Sequence, residues 1–288
     1  MKQPHNSARS VSGFGHEKMS MELFQAFSSL IFDKTGIFLK SEKRELLNAR
    51  LGKRLRVTGI ESFQDYYDHV IGNGGAGELV HMIDSVSTNF TSFFRENAHF
   101  DHLVTEVLPK LIETIGPRKN QITMWSSACS SGEEPYTLGM VVDDYLRKYP
   151  ALNFNIHATD ISTKVLAIAE RGVYPEERVV KVPPLFLKRY FQKGVGRSDG
   201  LVKVRENLKK RISFKHFNLM DQYPWQEELD VIFCRNVMIY FNRETQKELV
   251  EKFHRCLRPG GYLFIGHSES ISNIKHGFTQ MAATAYRK

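Results

Sequence analysis

From Gln121 onward the chain alternates short apolar runs with helical stretches, and this alternation constrains the fold more than any other feature. The runs are ITMWSSA at 122–128, FNIHATD at 154–160, RISFKHF at 211–217, DVIFCRN at 230–236 and GYLFIGH at 261–267. Segments of helical period lie between them, near 133–148, 162–171 and 243–257. Strand and helix in alternation build a mostly parallel sheet covered by helices on both faces. FTQMAATAYRK at 278–288 suits a closing edge pair or hairpin. The rhythm breaks between 176 and 211. There Tyr190-Phe191, GVGRSDG at 194–200 and Leu201, Val202 and Val204 predict a small antiparallel insertion, placed at about 190–210.

Upstream of 121 the period is helical throughout. Ser20 suits an N-cap for a helix carrying Phe24, Phe27, Leu30 and Ile31, with Gly36 as its stop. Ser41 opens a second helix on Leu47, Leu51 and Leu55, and Ser62 with Asp65 opens a third on Phe63, Tyr66 and Val70. After the glycine-rich break at 72–77, a fourth helix directs Leu79, Met82, Ile83 and Val86 inward. The expected layout is a disordered tail at 1–18, a helical domain at 19–90, a linker helix at 91–120 and an α/β domain at 121–288.

Strand tips in such sheets hold ligands near the point where strand order reverses. The first strand runs into Ala128-Cys129-Ser130-Ser131-Gly132 and then into Glu133-Glu134-Pro135. Small residues at 128, 130 and 132 let a ligand approach the backbone. A dinucleotide would place its pyrophosphate on this helix N-terminus, where the two glutamates oppose an anion. S-adenosylmethionine (AdoMet) has no phosphate and carries a sulfonium and an ammonium, so acids suit it. A capping box between Ser131 and Glu134 is the plainer reading. Asp160, ending the second strand, suits a ribose diol or the N-cap of the next helix. Arg235-Asn236 at the fourth tip suits a substrate wall.

Several segments resemble the chemotaxis receptor glutamate methyltransferases, the CheR family: STNFTSFFRE (87–96), MWSSACSSGEEPYTLGM (124–140), ATDIS (158–162), FNLMD (217–221), FCRNVMIYFN (233–242) and GGYLFIGHSES (260–270). The resemblance implies a Rossmann-like AdoMet-dependent methyltransferase sheet with an N-terminal all-helical domain. The implied activity is O-methylation of receptor glutamates, giving glutamyl methyl esters and S-adenosylhomocysteine. Carried over, the cofactor contacts fall on Asn89, Thr91, Arg95, Glu134, Asp160, Asn218, Leu219, Arg235 and Asn236. Arg95, Arg235 and Tyr240 become candidates to position the acceptor carboxylate. That group is already ionised at pH 7, with a reference pKa of about 4.3, so no general base is expected. Arg235→Ala should then lower turnover without unfolding the chain.

A net charge of +8 favours an acidic partner. Arg50, Lys53, Arg54 and Arg56 on the second helix are the expected landing surface for receptor signalling helices. The insertion is the expected seat for a receptor C-terminal peptide. Three cysteines without CxxC spacing give no metal site, and with no apolar leader a cytoplasmic setting is expected; a monomer is the working expectation, with oligomeric state left open. No run is long and apolar enough for a membrane span. Two rivals remain at this stage. A nucleic-acid methyltransferase lacks its Asn-Pro-Pro-Tyr-like pocket here, and a non-catalytic AdoMet-binding scaffold would not need the full set of tip residues.

Overall fold

A computed structural model describes residues 18–114, 120–226 and 228–288. The expected tail at 1–18 therefore lies almost wholly outside the described residues. Four helices come first: α1 (Met21–Thr35), α2 (Arg44–Thr58), α3 (Phe63–Ile71) and α4 (Ala76–Val86). The Ser20 hydroxyl accepts from Leu23 N at 3.2 Å, and Gly36 closes α1 in a left-handed conformation at φ 73°. Ser62 caps α3 on Asp65 N at 3.0 Å. Ser41 does not cap α2; it starts a short 3-10 turn that leads into the helix. Phe27, Ile31, Leu51, Leu55, Tyr66 and Met82 are fully buried where the four helices meet.

The expected linker helix over 91–120 is shorter than its span. Residues 91–97 form turns, and helix occupies α5 (Ala98–His102), a π-helical turn (Leu103–Val107) and α6 (Leu108–Thr114). Phe94 and Glu96 have φ of 54° and 53°, left-handed values that no helix accommodates. Residues 115–119 lie outside the described part.

The second unit runs through β1 (Gln121–Ser126), α7 (Glu133–Leu146), β2 (Asn153–Asp160), α8 (Thr163–Arg171), β3 (Val173–Pro175), α9 (Pro184–Tyr190), β4 (Phe191–Lys193), β5 (Leu201–Val204), α10 (Glu206–Lys209), β6 (Ile212–His216), β7 (Leu229–Cys234), α11 (Arg243–Cys256), β8 (Leu257–Ile265), β9 (Thr279–Ala282) and β10 (Ala285–Arg287). The main sheet has the order β6-β2-β1-β7-β8-β10-β9. Its first five strands are parallel, and β10 and β9 close it antiparallel, as the terminal run suggested. Side chains alternate between the two faces. Met124, Val231, Phe233 and Phe264 enter one core, while Trp125, Ile232, Leu263 and Ile265 enter the other with Phe253 of α11. Strand order reverses between β1 and β7, so their carboxyl tips flank a crevice.

The insertion starts earlier than 190. Its sheet has the order β3-β5-β4, with β3 drawn from Val173–Pro175. Three residues ending in proline leave too short a period for the sequence to register as a strand. At the other end, 206–209 is helix α10 and not part of the hairpin. The insertion is fastened to the β1–α7 turn. Tyr174 Oη donates to Ser131 O at 2.6 Å, and Arg178 pairs with the fully buried Glu133.

Within the helical unit, Arg54 holds Glu78 through two bonds of 2.9 and 2.8 Å, and Tyr66 Oη adds a third at 2.6 Å. Burial pushes the Glu78 carboxyl up, but Arg54 and Tyr66 outweigh it and the pKa is lowered. The depressed value means that this stabilisation is complete above the ordinary carboxylate range and is lost as pH falls through the folded-state pKa. Arg54→Ala should lower unfolding free energy at pH 7 by about 3 kcal/mol, the cost of stranding a largely buried partner. Denaturant unfolding should show that difference shrinking at acid pH.

Candidate functional site

A cavity of about 650 Å³ opens at the tips of β1, β2 and β7, between the sheet and the four-helix unit. That is within the range of about 300–1,000 Å³ typical of small-molecule sites. Its floor comes from Ser127, Ala128, Ser130, Glu134 and Asp160, and one wall from Asn218, Leu219, Arg235, Asn236 and Tyr240. The opposite wall is the 86–95 segment with Lys40, Lys43, Leu46 and Arg50. Every residue expected to touch the cofactor lines this one cavity.

The floor is acidic. Ser130 N and Ser162 N donate to the Asp160 carboxylate at 2.8 and 2.9 Å, one to each oxygen, which fixes its plane. Each oxygen keeps a second lone pair for an outside donor. Burial pushes this carboxyl up, and the backbone amides partly offset the rise. Ser130 sits at φ 49°, and its hydroxyl donates to Asn89 O at 2.9 Å, joining the tether to the turn.

The two glutamates after the turn part company. Glu134 faces the cavity and accepts from Ser126 Oγ at 2.7 Å and Arg235 Nη1 at 3.0 Å. Glu133 turns away toward Arg178 and accepts from Ser131 Oγ at 2.7 Å, so the expected Ser131–Glu134 capping box does not form. The Glu134 carboxylate beside the α7 N-terminus opposes a pyrophosphate there by Coulomb repulsion.

Arg235 is the junction of the site. Its guanidinium reaches Glu134 at 3.0 Å, Glu96 at 3.0 Å and Arg95 O at 2.5 Å, and stacks over Phe100 and Phe233. At 5% exposure most of its donors are committed inside the protein, although the residue still lines the cavity. Arg95 is the more accessible of the two. One of its nitrogens donates to Phe90 O at 2.6 Å. Tyr240 lines the cavity from the β7 side. Asn218 Nδ2 reaches across to Lys34 O at 2.7 Å, and Phe38 N donates to Tyr240 O at 2.8 Å, so the helical unit is sewn to this rim.

The basic residues of α2 also divide. Arg50 donates to Val86 O, Ser87 O and Thr88 Oγ1 and keeps its charge at the cavity wall, whereas Arg54 is paired with Glu78. Lys53 and Arg56 are exposed. Glu96, which sequence reasoning passed over, accepts from Arg235 and Asn236. Burial pushes its carboxyl up, but Asn236 and Arg235 outweigh this and the pKa is lowered. Ligand-type atoms of Glu96, His99 and His267 lie within 4.8 Å of one another. The guanidinium already on Glu96 opposes a second cation there by Coulomb repulsion. Burial and Arg235 push the His99 imidazole down to about 3, so it is neutral at physiological pH.

An open parallel sheet with Glu134 and Asp160 at its first two tips suits a cationic nucleoside such as that of an AdoMet-dependent methyltransferase better than a dinucleotide. Sequence comparison carries this further. The family described as CheR methyltransferase, SAM binding domain, matches residues 89–287, and CheR methyltransferase, all-alpha domain, matches 22–87. The chain belongs to this family. It is 41% identical over 263 residues to a chemotaxis protein methyltransferase of Borreliella burgdorferi, covering 90% of this chain and 91% of that one. It is 39% identical over 264 residues to that of Escherichia coli, covering 91% and 89%. Among solved structures, an S-adenosylmethionine-dependent methyltransferase from Mesorhizobium loti aligns at 14% identity and TM-score 0.28, over 57% of this chain and 54% of that one.

The junction alters what Arg235→Ala should do. Removing the guanidinium leaves Glu96 and Glu134 without a counter-charge, held only by hydrogen bonds from Asn236 and Ser126, and breaking a buried pair costs about 3–5 kcal/mol. The variant should lose stability on that scale in denaturant and bind S-adenosylhomocysteine more weakly in calorimetry. Native stability in this variant would show the junction to be dispensable.

Proposed function

We propose that the chain transfers the AdoMet methyl group to glutamate side chains on the cytoplasmic signalling helices of chemotaxis receptors, acting as a cytoplasmic monomer. The observation that carries this reading is the split polarity of the cavity. Glu134 and Asp160 lie on the floor, and Lys40, Lys43, Arg50 and Arg95 line the helical wall. The floor suits a cationic nucleoside and the wall suits an anionic acceptor.

AdoMet supplies an electrophilic methyl on sulfur. The residues of this chain then bind, orient and exclude water. Asp160 offers its outer lone pairs to a ribose diol, and Glu134 faces the methionine end. Asn218 and Leu219 border the base, and Asn89 and Thr91 cover the nucleoside from the tether. The acceptor carboxylate forms a C–O bond as the S–CH3 bond breaks, and no proton has to move. Positioning and desolvation of two opposite charges supply the catalysis. Arg95 and Tyr240 are the groups placed to orient the acceptor, while Arg235 acts through Glu96 and Glu134.

Labelled AdoMet with receptor-containing membranes should give alkali-labile methyl groups on the receptor and none on RNA or DNA. Label on nucleic acid would favour the rival reading. Receptors lacking their C-terminal residues form a second arm. Among the described residues β4 is an end strand of the insertion sheet, the position at which an extended peptide adds a strand. Loss of the C-terminal peptide should therefore raise apparent KM through tethering and leave kcat unchanged.

Lys43, just before α2, and Leu46 and Arg50 on it line the cavity mouth, and Lys53 and Val57 continue the same stripe outward. Lys53, Val57 and Arg56 are exposed, giving an acidic receptor helix a track that leads to the mouth. Charge reversal at Lys43, Lys53 and Arg56 should raise apparent KM and flatten its dependence on salt, since exposed charges are screened beyond about 8–10 Å. An unchanged KM and salt slope would remove α2 from docking.

A further inference from the structure

Glu269, in the loop after β8, is buried and spends its carboxylate on five backbone amides. Oε1 accepts from Val237, Met238 and Ile239 at 2.9, 2.7 and 3.3 Å; Oε2 accepts from Asn236 and Gly266 at 2.9 and 2.6 Å. Four consecutive amides aimed at one anion mean that residues 236–239 curl around it. None of these four amides is used in strand or helix pairing. Without an acceptor they become orphaned donors, costing about 1–3 kcal/mol for each that is buried.

Two further observations show that this arrangement is built into the backbone. Asn236 is held at φ 58°, a strained value for a residue with a side chain. A Cβ at position 266 would lie 2.8 Å from Glu269 Oε2 and 2.9 Å from Asn236 N, so only glycine lets the carboxylate reach the loop. The curled loop also has functional ends. Asn236 Nδ2 donates to Glu96 at 3.1 Å, and Ile239 and Tyr240 line the cavity.

From this geometry we infer that Glu269 is a positioning residue for methyl transfer: its carboxylate shapes the 236–239 loop, so that Ile239 and Tyr240 form the acceptor side of the cavity. Asp160 and the β1–α7 turn lie on other elements and are not held by Glu269. Its contribution therefore falls chiefly on turnover and acceptor binding; of the expected cofactor contacts it holds Asn236 alone, and only through the backbone. The inference rests on the methyl-transfer reading above.

The test is Glu269→Gln, which keeps the shape but sets an N–H group among donors. The expected result is a kcat lowered about 30-fold or more, with the Kd for S-adenosylhomocysteine within about threefold of the parent. Glu269→Asp, which keeps the charge on a shorter arm, should recover part of kcat. A kcat within threefold of the parent overturns the inference. So does a fall in kcat matched by an equal loss of nucleoside affinity, which a purely structural role would give. If Glu269→Gln does not fold, the same comparison is made on Glu269→Asp, and amide exchange is measured on the parent protein. The amides of 236–239 should be protected despite lying outside the main sheet and helices, and exchange at the rate of open loops overturns the inference. Failure of the parent to bind S-adenosylhomocysteine would instead sink the methyl-transfer reading and leave the amide result to judge Glu269.

Discussion

The arrangement around the cavity depends on one buried cation. The Arg235 guanidinium sits between Glu134 at the start of α7 and Glu96 in the tether, and a third bond goes to the carbonyl of Arg95. A charge this deep is tolerable only with several partners, and these come from two separate places, the segment before α5 and the start of α7. Chain segments 140 residues apart therefore share a single electrostatic constraint. The four described non-glycine residues with positive φ, Phe94, Glu96, Ser130 and Asn236, all lie along this seam. Backbone strain of about 1–3 kcal/mol each persists only where the surroundings over-determine the geometry.

The same constraint makes sense of the charge layout. Cationic side chains are abundant in the chain, yet those nearest the floor are neutralised internally: Arg235 by two glutamates and Arg178 by Glu133. The cations left at the helical wall and along α2 belong to the side from which an acidic partner would approach. The cavity thus separates the two signs over a few side-chain lengths, as a reaction between a cationic donor and an anionic acceptor requires.

The parallel sheet, its helices and the antiparallel edge were legible because period-2 and period-3.6 patterns report which face is buried. Part of the cavity floor was legible too, since Ala128, Ser130 and Asp160 sit at or just past strand tips. What the sequence hid is tertiary. Arg50 and Arg54 read as a charged helix face, and nothing local reveals that Thr88 and Glu78 would claim them. Arg235 read as a substrate clamp because its partners, Glu96 and Glu134, lie about 140 and 100 positions away. The strand at 173–175 was too short to give a period, and residues 91–97 looked helical although two of them take left-handed φ. Glu269 carried no pattern at all, because its partners are backbone amides and leave no trace in residue type.

The bonds that join the helical layer to the catalytic body cluster at the cavity rim: Ser130 to Asn89, Asn218 to Lys34, and Phe38 to Tyr240. A molecule filling the cavity touches both sides of that join, so it gains most when the join is shut and itself favours shutting it. Nucleoside occupancy and the seating of the four-helix layer are then two readouts of one equilibrium. A ligand spanning the join would, by reciprocity, be held less tightly wherever that join is loosened.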